Sequence, residues 1–156
     1  MATKYENRTN VRNRGWLSEK AYRSIYRRVP RLCVDAVIRD RKGIVLSRRD
    51  IPPDKGQWHF PGGRVHMQER LKDAVKRICQ EETGLKVRVE HIIGAIEYLK
   101  LGRWGHSVSI AYLVRALGGT LRGSAQARNI SFFKIVPRST ESEVKAFLLA
   151  NRLIGK

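Results

Sequence analysis

Two apolar periods alternate along this chain. Between Arg70 and Gly84, the residues Leu71, Ala74, Val75 and Ile78 recur at helical spacing and predict an amphipathic helix with one buried face. Leu17, Ala21, Tyr22, Ile25 and Tyr26 predict another helix over 17–28, with Ser18 placed to cap it and Pro30 to stop it. Alternating, β-branched stretches predict strands over 31–39, 44–49, 85–98, 106–117 and 130–135. A turn over 40–43 joins the first two. The loop 99–105 joins the long pair as a hairpin. Prolines and glycine make 51–56 a loop, and 57–60 is a short extended piece delivering the chain to Gly62 and Gly63. After a polar loop over 118–129 and the last strand, Thr140 with Glu143 reads as a capping box for a final helix whose apolar face is Val144, Phe147 and Leu148. Helix, strands, helix, strands, helix predicts an α/β sandwich with a mixed sheet.

The central helix carries an anomaly. Glu82 projects on its apolar face between Leu71 and Val75, and Glu81 lies at the edge of that face. A carboxylate there is costly twice: it turns toward apolar neighbours, and it sits in the last turn, where the helix dipole disfavours anions. A positive charge is expected beside it, either an oxygen-bound divalent metal or an arginine. Pro61, Gly62 and Gly63 precede the helix, and Gly84 closes it where a left-handed cap is expected.

Gly63, Glu69, Arg77, Cys79, Glu81, Glu82, Gly84 and Leu85 stand at the spacing of the box of the Nudix hydrolases, which this stretch resembles. One position departs: Ile78 stands where the family usually has the first glutamate of its Arg-Glu pair. The resemblance implies an α/β/α sandwich and a Mg²⁺-dependent hydrolase, with Mn²⁺ as the alternative ion. Beyond the box, Pro30, Asp35, Arg49, Gly56, Trp58, Pro61, Gly62, Gly63, Arg64 and Val65 resemble the GDP-mannose mannosyl hydrolase branch, which also lacks that glutamate.

That branch implies attack of water on the sugar C1 of a nucleoside diphosphate sugar, the diphosphate leaving intact. By position, the Gly62 carbonyl and Glu82, with Glu81 and Gln126, would hold the metal. Arg49 and Arg64 would hold the diphosphate or sugar, and with the two glutamates they form the catalytic set. Asp35 would contact the sugar side; the other reading is a carboxylate paired with a neighbouring arginine. Trp104 is read as a base-stacking residue or as a ring folded over the hairpin. Glu69 and Arg77 tie the loop to the helix, and Gly63 and Gly84 shape its ends. Ala127 stands where the branch has a histidine base, leaving His66 and His106 as candidates. The alternatives are cleavage of the pyrophosphate to a nucleoside monophosphate, and a non-catalytic basic protein of the same fold that binds RNA or nucleotides. The branch also implies a homodimer built on the N-terminal helix.

Composition narrows this further. With 156 residues and 42% hydrophobic content, one domain over 17–156 is expected, preceded by a basic flexible arm over 1–16. Cys33 and Cys79 fall in apolar segments and suggest no disulfide framework, so a reducing cytoplasm is the expected setting. No apolar run has the length to span a bilayer, so no membrane partner is expected. Thirty-two Lys and Arg against 14 Asp and Glu leave a net charge of +18, a field that concentrates phosphate-bearing ligands. The cations are spread along the chain without a nucleic-acid-binding signature, which favours a small anionic substrate over RNA.

Overall fold

The computed structural model describes residues 17–52, 54–99 and 105–155. Among them run α1 (Glu19–Tyr26), β1 (Arg31–Asp40), β2 (Gly43–Arg48), β3 (Trp58–His59), β4 (Gly62–Arg64), α2 (Leu71–Thr83), β5 (Leu85–Tyr98), β6 (Ser107–Gly119), β7 (Asn129–Phe133) and α3 (Ser142–Ala150). The strands form one mixed sheet in the order β3-β2-β1-β6-β5, with β4 added to β1 and β7 to β2. β1 runs parallel to β6 over eight residue pairs, from Arg31↔Ser107 to Ile38↔Val114, while its other partners are antiparallel. The long hairpin of β5 and β6 forms as its alternation predicts, with bulges near Lys86, Val89 and Ile92.

Alternation along β1 sorts the core into two layers. Val34, Ala36 and Ile38 face α2, packing with Ala74, Val75, Ile78 and Cys79. Val37 faces the other way, with Phe60, Ile96, Val144 and Leu148 beneath α3. Burial on both faces explains why the middle of β1 reads as a nearly continuous apolar run.

The C-terminal end of α2 is fixed by a glycine. Gly84 takes the left-handed conformation (φ 73°), and its N–H bonds the Gln80 carbonyl. A side chain there would also strike the Thr120 carbonyl, since a Cβ would come within 2.6 Å of it. At the start of α3 the capping box expected from Thr140 is not the one formed. Glu141 is the N-cap, its Oε2 accepting from Val144 N at 2.9 Å, while Thr140 Oγ1 donates to the Pro137 carbonyl. The reason is a tether: Trp58 N bonds Ser139 O, and Glu141 N bonds Trp58 O, so β3 fixes where the helix begins.

Ser18 caps α1 as expected, through its Oγ and Ala21 N at 3.2 Å. The helix settles on its own domain: the Tyr22 and Tyr26 rings lie under the guanidinium carbons of Arg31 and Arg64 at 5.8–6.0 Å. No described helix is long and apolar enough to cross a membrane. Trp104 and the arm over 1–16 lie outside the described residues.

Candidate active site

Strand β4 carries the site. Glycine is required at Gly62, where no side chain fits, while Gly63 sits in contact distance of Ile78. A Cβ on Gly62 would fall 2.0 Å from Asp35 Oδ1, and one on Gly63 would lie 3.4 Å from Ile78 Cδ1. The chain thus passes between the end of α2 and the middle of the sheet, and the Gly62 N–H donates to Glu82 Oε2 at 3.3 Å. Glu82 and Gly62, separated by twenty residues in sequence, meet here.

The loop between β4 and α2 is tied down by one ion pair. Arg77 Nε and Nη2 donate to Glu69 Oε1 and Oε2 at 2.7 and 2.9 Å, and Nη2 also donates to the Arg64 carbonyl at 3.1 Å. Glu69 Oε2 accepts from His66 N as well, at 2.9 Å. Burial raises the Glu69 pKa, but the Arg77 and His66 bonds outweigh it and hold the carboxyl below its ordinary range. Glu81, at the exposed edge of α2, reaches Arg77 Nη1 at 3.5 Å. Burial and the Arg77 charge together lower the His66 pKa, so its imidazole is neutral and able to accept a proton at neutral pH.

Arg49, just past β2, bonds the Ile51 carbonyl through Nε at 3.4 Å. Burial pulls its pKa down, the Asp54 and Glu82 charges push it up, and Arg31 opposes them. Arg49 therefore lies in the field of Glu82 on one side and Arg31 on the other. Gln126 is brought to the same strand end, its carbonyl accepting from Asp50 N at 2.9 Å. Ala127 beside it is buried. His106 lies elsewhere, at the start of β6 beside the end of α1.

Register separates the other candidates from Glu82. Asp35 pairs with Gly62 and Cys33 with Arg64, so Asp35 and Arg64 share the sheet face opposite α2. The arginine partner considered for Asp35 is not found among the described residues. Its carboxylate accepts from Tyr98 Oη at 2.9 Å with the Ser109 hydroxyl beside it, and it is 7% exposed. Arg64 stacks on Tyr22 and Tyr26. Tyr22, Tyr26, Arg31, Tyr98 and Ser109 are thus neighbours of the site that sequence reasoning missed. Two tyrosines one helical turn apart in an arginine-rich helix were the available signal for the first pair; Tyr98 and Ser109 offered none, because strand pairing alone brings them to Asp35.

The donor set suits one hard cation. Two adjacent carboxylates and a backbone carbonyl are oxygen ligands, and a magnesium-like ion takes few of these from protein and the rest from water and phosphate. No group of three acidic, histidine or cysteine side chains able to hold a metal occurs among the described residues. Ile78, 3% exposed beneath Gly63, offers no oxygen donor to this set.

A loop, helix and cap of this geometry on a two-layered mixed sheet defines a class, and the comparisons identify it. A family model described as NUDIX domain matches residues 29–145, and the chain belongs to that family. It is 33% identical over 106 residues to the ADP-ribose pyrophosphatase of Methanocaldococcus jannaschii, covering 68% of this chain and 63% of that protein. It is 37% identical over 82 residues to the low-salt glycan biosynthesis protein Agl8 of Haloferax volcanii, covering 53% of each. The match therefore spans somewhat over half of these relatives' lengths. Among solved structures, the MutT NUDIX hydrolase of Burkholderia pseudomallei superposes with a TM-score of 0.69 at 25% identity, covering 78% of this chain and 97% of that one.

Two stability measurements test this geometry. Burial pushes the Asp35 carboxyl up to about 6, with Glu141 raising it further and Ser109 and Tyr98 lowering it. A folded-state pKa above the unfolded value means that the folded chain keeps a proton the unfolded chain releases. Stability is then full at low pH and is lost as pH rises through that pKa. Between about pH 4 and 7 the wild type is expected to lose on the order of 2–3 kcal/mol more than Asp35→Asn, read by urea unfolding at each pH; parallel profiles would refute the shift. Glu69→Gln is expected to lower stability by about 1.5–3 kcal/mol, with Arg77→Lys also destabilising because an ammonium lacks the planar fork.

Proposed function

We propose that the protein hydrolyses a nucleoside diphosphate linked to a second group, a nucleotide sugar or a close analogue, with one Mg²⁺ or Mn²⁺ ion. The observation that carries this reading is the meeting of Glu82 with the Gly62 N–H at the end of α2, within the field of Arg49. Glu82, Glu81 and the Gly62 carbonyl would hold the ion, with Gln126 nearby on the tethered loop. Bound there, the ion would neutralise charge on the diphosphate.

The chain's own groups supply the rest. Arg49 and Arg64 bind phosphate oxygens, for which the guanidinium fork is suited. Stacking on Tyr22 and Tyr26 limits the rotamers of Arg64, so less freedom is lost on binding. His66, with its pKa lowered by burial and by Arg77, is the candidate for accepting a proton from water. Asp35 acts through position: its buried carboxyl packs against Gly62 and sets the height of β4.

Which bond breaks follows from the carboxylates. With carbon at Ile78, the set that would drive attack on phosphorus is reduced, which favours attack of water on the sugar carbon and departure of the whole diphosphate; the likeness to a glycan biosynthesis protein accords with this. A second reading, cleavage between the phosphates to give a monophosphate, is favoured by the likeness to an ADP-ribose pyrophosphatase. A homodimer remains part of the proposal, with Ile25, 42% exposed on α1, as part of its contact; light scattering tests it.

Hydrolysis of GDP-mannose and ADP-ribose in ¹⁸O-labelled water with Mg²⁺ decides the bond. Label in the free sugar supports the first reading, and label in a phosphate product supports the second. Glu82→Gln is expected to cut turnover at least about 100-fold with an unchanged unfolding midpoint, since the amide keeps the Gly62 bond but loses the charge. Wild-type turnover by that variant would remove Glu82 from the reaction.

A further inference from the structure

A second concave site lies at the other end of α1. Arg23, Tyr26, Arg27, Arg28, Val29 and Pro30 form one wall of a cavity of about 520 Å³, and Gly105 with His106 forms the other. That volume falls within the range of about 300–1,000 Å³ typical of small-ligand sites. The walls are held in place by backbone: Arg31 N donates to the His106 carbonyl at 3.0 Å, and Gly105, at φ 61°, packs so close that a Cβ would come 3.3 Å from the Tyr26 carbonyl.

The chemistry of this hollow is one-sided. None of its described lining residues is acidic. Arg27 and Arg28 make no ion pair among the described residues, and Arg23, whose Nη2 is held by Glu19, keeps its Nε shielded from solvent without a hydrogen-bond partner. His106 Nε2 is likewise shielded and unpartnered. The negative end of the α1 dipole accounts for a cation or two in this turn. It does not account for three arginines and a histidine around one hollow with no acid among its described lining residues to balance them.

We propose that this cavity is an anion site for the diphosphate of a small phosphorylated molecule, separate from the site at Glu82. Guanidinium forks match phosphate oxygens in pairs, and Arg27 and Arg28, both exposed, bring two such forks to the hollow. A small ligand is favoured over a nucleic-acid strand because the site is one compact hollow, and its aromatic ring, Tyr26, already packs against Arg31 and Arg64. The proposal does not depend on the hydrolase reading.

Calorimetric titration of pyrophosphate into the whole protein in EDTA tests it. The titration is expected to show binding in the wild type and binding weakened at least about tenfold in the Arg27→Gln/Arg28→Gln double variant, whose changes fall on exposed side chains. Circular dichroism checks that the double variant folds. The His106 ring resonances are expected to shift on addition of pyrophosphate in the wild type. No binding, or equal binding by the double variant, overturns the proposal. A ten-nucleotide RNA that binds at least about tenfold tighter than pyrophosphate, and loses that advantage in the same double variant, overturns the small-ligand assignment in favour of RNA.

Discussion

The rest of the structure depends on the absence of side-chain volume in β4. Gly62 lies against the carboxyl of Asp35 and Gly63 against Ile78, so the strand occupies a slot with no room for a methyl group over the acid and little over Ile78. Only in that slot does the Gly62 N–H reach Glu82. The Glu69–Arg77 pair then holds the next residues of the chain, and Arg77 bonds the Arg64 carbonyl, so the loop, the strand and the helix move as one piece. The helix cap at Gly84 completes the unit by turning the chain into β5.

A buried acid is an expensive way to line a slot, and its hydrogen bonds explain how it is tolerated. Tyr98 and Ser109 stand beside the Asp35 carboxyl, yet burial still raises its pKa to about 6, so near neutral pH it is a charge held with little solvent. The same sheet face carries Arg31 and Arg64 by alternation along β1 and β4. Their guanidinium groups share the two tyrosines of α1. Helix α1 thereby links the cationic wall of the candidate active site to the basic hollow at its own C-terminal end.

Local periodicity made most elements legible. The helix around Val75 and the β5–β6 hairpin have long repeats with clear stops at Gly84 and near residue 99, and both form close to the bounds their patterns predict. The box residues were legible because their spacing is fixed by a single helix and the loop before it. What stayed hidden depends on pairing between distant segments. That Gly62–Arg64 would be a strand on β1, that Tyr98 would meet Asp35, and that Trp58 would draw the α3 cap to Glu141 are consequences of register, which no local window contains. The arginine partner weighed for Asp35 illustrates the limit: many arginines are near in sequence, but alternation and strand pairing turn a tyrosine and a serine toward it instead.

The acids and bases of this chain perform unequal tasks. Several acids serve the fold directly: Glu69 braces the loop, Glu141 caps α3, Glu90 joins Arg88 and Arg115, Asp50 accepts from Arg128 N, and Asp35 packs the slot. With 14 acids against 32 Lys and Arg, such duties leave most of the positive charge unmatched. An unmatched surplus repels itself and weakens the compact state, so it gives the fold nothing. Its field attracts anions toward the chain. Arg49 is tied to the Ile51 carbonyl and Arg64 packs on two tyrosine rings, and a fixed guanidinium matches phosphate geometry where a mobile one only adds to the field.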